Sequence, residues 1–138
     1  MKLISYRENG NIKLGGFEEG RIYDLHAIDS NIADNMLKFL QGGEKQLLLA
    51  RAAVESGNPT LSAEDVELIS PVPNPPSVRD AYAFRQHVAT ARRNRGLEMI
   101  PEFDEIPIFY FTNHQAVFGE GYFPVLSRHT EKLDFELE

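Results

Sequence analysis

The chain has 138 residues, 42% of them hydrophobic, with a net charge of −7 and no cysteine. That length allows one domain, or a small one with part of another, and the apolar content is enough for a packed core. The acidic balance counts against a general binder of nucleic acid or anionic membranes, and the lack of cysteine excludes disulfides, thiol nucleophiles and zinc–thiolate sites. The N-terminal MKLISYRENG holds an apolar run too short for a signal peptide, and nothing approaches the length of a membrane span. A soluble cytoplasmic protein is the default expectation.

Lys2 to Tyr6, Ile12 to Leu14 and Arg21 to Leu25 read as short strands. Asn9-Gly10 and Gly15-Gly16 supply turn chemistry between them, so a small antiparallel meander is expected. A helix is expected from about Asn31, with Asp34 completing a loose capping box and Ala33, Met36, Leu37 and Leu40 at helical spacing. Gly42-Gly43 would end it. A second helix runs from about Glu44 to Ser56 through Leu47, Leu48, Ala52 and Val54. Ser62 would cap a brief turn before a strand at Val66 to Ser70. Residues 1–70 thus read as a small β-rich domain with two helices, and His26 within it reads as a packed or surface residue.

Residues 71–76 contain four prolines, which form neither a helix nor a central strand. They read as a semi-rigid linker, with residues 77–138 as the start of a second, mainly β domain. The fold class expected for the whole is α+β.

Ser77 to Val88 has a helical pattern. On one helix, Asp80 and His87, seven residues apart, would share a face. A carboxylate and an imidazole so aligned could serve one site, with histidine as general base near neutral pH. Ser77-x-x-Asp80 also reads as a capping box, and Tyr82 reads as a core, surface or substrate-orienting residue. The run Arg92-Arg93-Asn94-Arg95 suits a solvated helix end, or one of its arginines could hold a substrate carboxylate. Leu97 to Glu105 reads as a loop and Ile106 to Thr112 as a buried apolar strand. Ala116 to Phe118 and Phe123 to Leu126 read as strands around a Gly119-Glu120-Gly121 turn, and His129 as exposed.

The final stretch, Leu133 to Glu138, alternates apolar and acidic residues. As a strand it puts Asp134, Glu136 and Glu138 on one face. Such a face is either a solvated surface or an oxygen-ligand site for a hard divalent cation.

The segment Arg79 to His87, the strand Pro107 to Thr112 and the acidic stretch Leu133 to Glu138 occur in this order. Together they resemble the start of the catalytic region of the fumarylacetoacetate hydrolase family, the fumarylacetoacetase-like branch in particular. The resemblance covers essentially the whole chain, including the small N-terminal domain and the proline-rich link. It implies that Glu136, Glu138 and Asp80 bind a divalent cation, Mg²⁺ foremost, with Ca²⁺ or Mn²⁺ as alternatives. It implies that His87 is the general base, that Tyr82 contacts substrate and that Arg95 matches a substrate-binding arginine. Asn113-His114 replaces a Lys-Pro common in relatives, so substrate contacts there do not carry over. The activity implied is hydrolysis of a carbon–carbon bond in a 1,3-diketo acid. Isomerisation, decarboxylation or hydration within the superfamily, or an inert binding module, are the alternatives. A small keto acid is the partner expected, with neither nucleic acid nor membrane, and a homodimer by analogy. Because relatives carry further site residues beyond this stretch, the expectation is a truncated chain with little or no catalysis on its own.

Overall fold

A computed structural model of the chain describes residues 1–122, 124–126, 128 and 130–133. It is an α+β structure with two compact units, one built on Met1–Pro75 and the other on Pro76–His114.

The first unit begins with the expected meander: β1 (Lys2–Glu8), β2 (Asn11–Glu18) and β3 (Arg21–Asp24). Both hairpins close with two-residue loops, since Glu8 pairs with Asn11 and Glu18 with Arg21. Asn9-Gly10 and Glu19-Gly20 have positive φ at both central positions, which matches the right-handed twist of the flanking strands. The second turn is therefore not Gly15-Gly16. Those glycines lie inside β2, where neighbours leave no room for side chains. A Cβ on Gly15 would meet Ile22 at 3.0 Å and Tyr6 at 3.1 Å, and one on Gly16 would meet Val54 at 2.9 Å. β4 (Leu61–Ser62) and β5 (Glu67–Ile69) complete a sheet of order β4-β3-β2-β1-β5.

Three helices pack with this sheet: α1 (Leu25–Ile28), α2 (Met36–Gln41) and α3 (Gly43–Ser56). The chain turns into α1 at Asp24, whose carboxylate accepts from the Ala27 amide, so Leu25 is helical and not the end of a strand. α2 starts five residues later than the pattern predicts. Its cap is Asn35, which accepts from the Lys38 amide, and Met36 and Phe39 are buried while Leu40 is exposed. α3 matches the predicted span, but it buries Ala50, Ala53 and Val54 and leaves Leu48 outside. Ser62 does cap a brief 3₁₀ turn at Ala63–Asp65, as expected. Leu14, Leu25, Ile32, Met36, Phe39, Ala50, Ala53 and Val54 form the core. Fully burying one of its larger apolar side chains is worth about 1.5–3 kcal/mol.

Asp24 holds this unit together by polar contacts. It is buried, and it accepts from Lys13 Nζ at 2.9 Å while its own amide donates to Thr60 Oγ1 at 3.1 Å. Lys13 also donates to Glu8 at 2.7 Å. The Tyr6 hydroxyl is buried nearby and makes no hydrogen bond. Burial, and then the Asp24 charge, push its ionisation well above the ordinary tyrosine range. Hydrogen bonds to Glu8 and Asp24 raise the Lys13 ammonium likewise.

The second unit departs from the predicted helix at Ser77 to Val88. Its first element is a strand, β6 (Arg79–Ala81), paired antiparallel with β7 (Phe109–Phe111). The helix, α4 (Arg85–Asn94), starts only after Phe84. Pairing extends beyond the ladder: the Tyr82 amide donates to Ile108 O and the Thr112 amide to Val78 O. These bonds satisfy a backbone that the Ser77-x-x-Asp80 box would otherwise have turned into a helix. The predicted buried strand at Ile106 to Thr112 shrinks to β7, all of it exposed among the described residues. The described residues of 116–118 and 124–126 form no strand.

Two outcomes are expected from the Asp24 cluster. Asp24→Ala should cost about 2–3 kcal/mol in urea unfolding, because it removes one of the two carboxylates that hold Lys13 and leaves the α1 amide without its cap acceptor. Stability should also fall as pH rises past roughly 10. There the unfolded chain releases the Tyr6 and Lys13 protons while the folded chain keeps them, so the folded state binds more protons and each pH step costs stability. Tyr6→Phe should flatten that alkaline slope, measured as unfolding midpoints from pH 8 to 11.

Candidate functional site

The predicted site residues within the described part of the chain all lie in the second unit. Alternation along the β6–β7 pair gives it two faces. Arg79, Ala81, Phe109 and Phe111 share one. The Arg79 guanidinium there stacks over both rings, 5.5 Å from the centre of Phe109 and 5.0 Å from that of Phe111, and the rings meet edge to face at 5.6 Å. Asp80 and Tyr110 stand directly opposite each other on the second face, and the Tyr110 hydroxyl donates to Asp80 Oδ2.

Asp80 is therefore a strand residue, while His87 is the third residue of α4. The shared helical face proposed for them does not exist. What joins them is Phe84, at the N-cap of α4 and 72% exposed. Asp80, Phe84 and Thr112 line an open depression of about 450 Å³. His87, Phe84 and Thr90 line another of about 450 Å³. Phe84 thus lines both the depression of Asp80 and that of His87.

Tyr82 faces a different depression, of about 380 Å³, shared with Phe103 and Ile106. Its ring meets Phe103 edge-on at 6.1 Å. Beside it Arg85 grips Asp104 through two hydrogen bonds, Nε to Oδ1 at 2.9 Å and a terminal nitrogen to Oδ2 at 3.1 Å. That bond holds the Asp104 carboxyl below the usual carboxylate range. These contacts hold the 3₁₀ turn Pro101–Asp104 beside the entry to α4. Arg95 sits at the opposite end of the helix, as its C-cap, with its amide bonded to Arg92 O. Its side chain is exposed and lines neither the Asp80 nor the His87 depression.

Glu136 and Glu138, with Asp134, lie outside the described residues, as does His129. Among the described residues no group of three or more His, Asp and Glu side chains is placed to hold a metal ion. The donor set implied by the resemblance, three carboxylates, has the oxygen chemistry a hard divalent cation takes, and Asp80 is its described member. The sequence reading missed Tyr110. Strand pairing of 79–81 with 109–111 was the signal needed, and the helical pattern around Asp80 hid it.

Comparison with known proteins finds weak similarity to a few relatives. The chain matches no protein-family model. It is 30% identical to the mitochondrial oxaloacetate tautomerase fahd2 of Xenopus laevis over 82 residues, 56% of this chain and 26% of the relative. It is 25% identical to each of two mitochondrial oxaloacetate tautomerases of Bos taurus, FAHD2A and FAHD2B, over 119 residues, 86% of this chain and 36% of the relative. These relatives are members of the fumarylacetoacetate hydrolase family, and the chain is similar to that family. It spans about a quarter to a third of their length. Among the described residues no helix is long and apolar enough to cross a membrane.

The aromatic face has a measurable consequence. Phe111→Ala removes the edge contact with Phe109 and one of the two rings over Arg79. The β6–β7 pair should then fray, read as faster hydrogen exchange at the Tyr82 and Thr112 amides while the amides of β2 keep their protection.

Proposed function

We propose that the chain works in a metal-dependent enzyme of the fumarylacetoacetate hydrolase family whose substrate is a short keto acid with an acidic carbon beside a carbonyl. Keto–enol tautomerisation of an oxaloacetate-like acid is the first reading. The observation that carries it is the chain's similarity to three oxaloacetate tautomerases, two of them across 86% of its length. Carbon–carbon hydrolysis of a 1,3-diketo acid is the second. It is favoured by the order Asp80, Tyr82, His87 within the segment that resembles the fumarylacetoacetase branch.

Asp80 would hold the cation together with Glu136 and Glu138. When bound, a divalent cation supplies Lewis-acid polarisation of a substrate carbonyl, which acidifies the neighbouring C–H. His87 would take that proton on an imidazole nitrogen and return a proton to the enolate oxygen, which completes a tautomerisation with no net change in atoms. In the hydrolytic reading the same imidazole takes a proton from water. The water oxygen bonds to the carbonyl carbon, the carbon–carbon bond breaks, and the departing enolate is protonated. Tyr82 and Arg95 are the proposed substrate contacts, and the protein would act as a soluble homodimer. Tyr110 supports the reading by orienting the Asp80 carboxylate.

The two reactions separate by product. In the protein carrying this sequence, the first predicts loss of the enol absorbance of oxaloacetate together with solvent deuterium at its methylene carbon. The second predicts two acids from an acylpyruvate. Either activity should vanish on chelation and return with Mg²⁺ or Mn²⁺. His87→Asn should lower kcat by about 10²–10⁴-fold, the range of a lost general base. Full activity in that variant would remove His87 from the mechanism. Retention after exhaustive chelation, with unaltered calorimetric traces for Asp80→Asn against Mg²⁺, would remove the metal.

A further inference from the structure

The helix that carries His87 opens with an arginine already engaged with a carboxylate. Arg85 is the first residue of α4, and its guanidinium meets Asp104 through Nε at 2.9 Å and a terminal nitrogen at 3.1 Å, one bond to each carboxylate oxygen. This two-bond fork is the geometry in which an arginine recognises a carboxylate of any origin. Both partners are open to water, with side chains 58% and 56% exposed. An exposed ion pair of this kind is weak and screened by salt, so a second carboxylate can compete for the same fork.

Arg85 also lines the depression of His87, Phe84 and Thr90. Arg95, at the far end of the helix, lines neither that depression nor the one of Asp80. Of these two arginines, Arg85 is therefore the one placed to anchor an acid beside the imidazole. Side chains two apart on a helix point in different directions. Arg85 thus serves the His87 side only by turning its guanidinium away from Asp104, and for an exposed side chain such torsional changes are fast. Asp104 in turn lines the depression of Tyr82. The ion pair holds the fork on that side and keeps it from an acid lying against His87.

We infer that Arg85 takes the substrate's carboxylate, and that Asp104 occupies its fork in the absence of substrate as an internal competitor. The inference rests on the keto-acid reading proposed above. The test is a titration of the metal-free protein carrying this sequence with malonate, a short diacid that is not turned over, followed by NMR at the His87 and Thr90 amides. Asp104→Asn frees the fork and should tighten malonate at least threefold. Arg85→Gln should weaken it at least fivefold, and Arg85→Lys, which keeps the charge and loses the fork, should fall between that variant and the parent. The double variant should bind like Arg85→Gln alone, because the gain from Asp104→Asn passes through Arg85. If the gain persists in the double variant, Asp104 acts by loosening its turn and the inference falls. It falls also if Asp104→Asn leaves malonate binding unchanged or weaker, or if malonate shifts neither amide in the parent and in Asp104→Asn. The titration needs neither metal nor turnover. Loss of the keto-acid reading would therefore show as absent activity with the malonate pattern intact, and loss of this inference as activity without that pattern.

Discussion

The first unit hangs on one buried carboxylate. Asp24 sits where β3 ends and α1 begins, and it satisfies three obligations at once: the Lys13 ammonium, the Ala27 amide and, through its own amide, the Thr60 hydroxyl. Removing such a group strands its partners, whereas desolvating it without them would be equally costly. The register of β2 against β3, the start of α1 and the approach of the chain to β4 therefore form one coupled arrangement. The buried Tyr6 hydroxyl adds the constraint that the local charge must stay as it is, since ionising the phenol beside Asp24 would place two anions together.

In the second unit a carboxylate again meets a donor brought by an antiparallel partner, but here it is open to solvent. Asp80 takes its place from strand pairing, and His87 from the helix that follows Phe84. A strand followed by a helix projects side chains in different directions. Asp80 and His87, seven residues apart, thus line separate depressions that share Phe84. Arg85 with Asp104, and Tyr82 with Phe103, tie the far loop to the helix entry. Tyr82 is thus committed to packing on one edge of its ring, and any substrate contact must use the remainder.

What the sequence revealed followed the reach of the forces involved. Asn9-Gly10, the Ser62 cap and the span of α3 ending at Ser56 depend on neighbours a few residues away, and all three were readable. Gly15-Gly16 was misread because its reason is tertiary: the absent side chains make room for Ile22 and Val54. The stretch from Ser77 was misread for the same cause, since β6 exists only through residues 30 positions away, and a plausible local cap lost to that pairing. The helical face expected to align Asp80 with His87 is absent, because Asp80 lies in β6 and His87 in α4. Tyr110 stayed hidden because one more aromatic in an apolar run carries no signal until its strand partner is known.

The reaction type is the harder inference, and the residues explain why. Tautomerisation and carbon–carbon hydrolysis of a keto acid both begin with a polarised carbonyl and a base beside it, so a carboxylate cluster and an imidazole serve either. They differ in what the imidazole faces. A tautomerase needs its base against the acidic carbon itself, with water kept away from the carbonyl carbon. A hydrolase needs a water molecule held between base and carbonyl. His87 is exposed, and its depression is lined by Phe84 and by the Thr90 hydroxyl one helical turn on. Phe84 gives that space an apolar surface. Thr90 gives it the hydrogen-bonding group that would fix a water beside the base. On the function proposed above, the balance between these two side chains would bear on which of the two reactions is favoured.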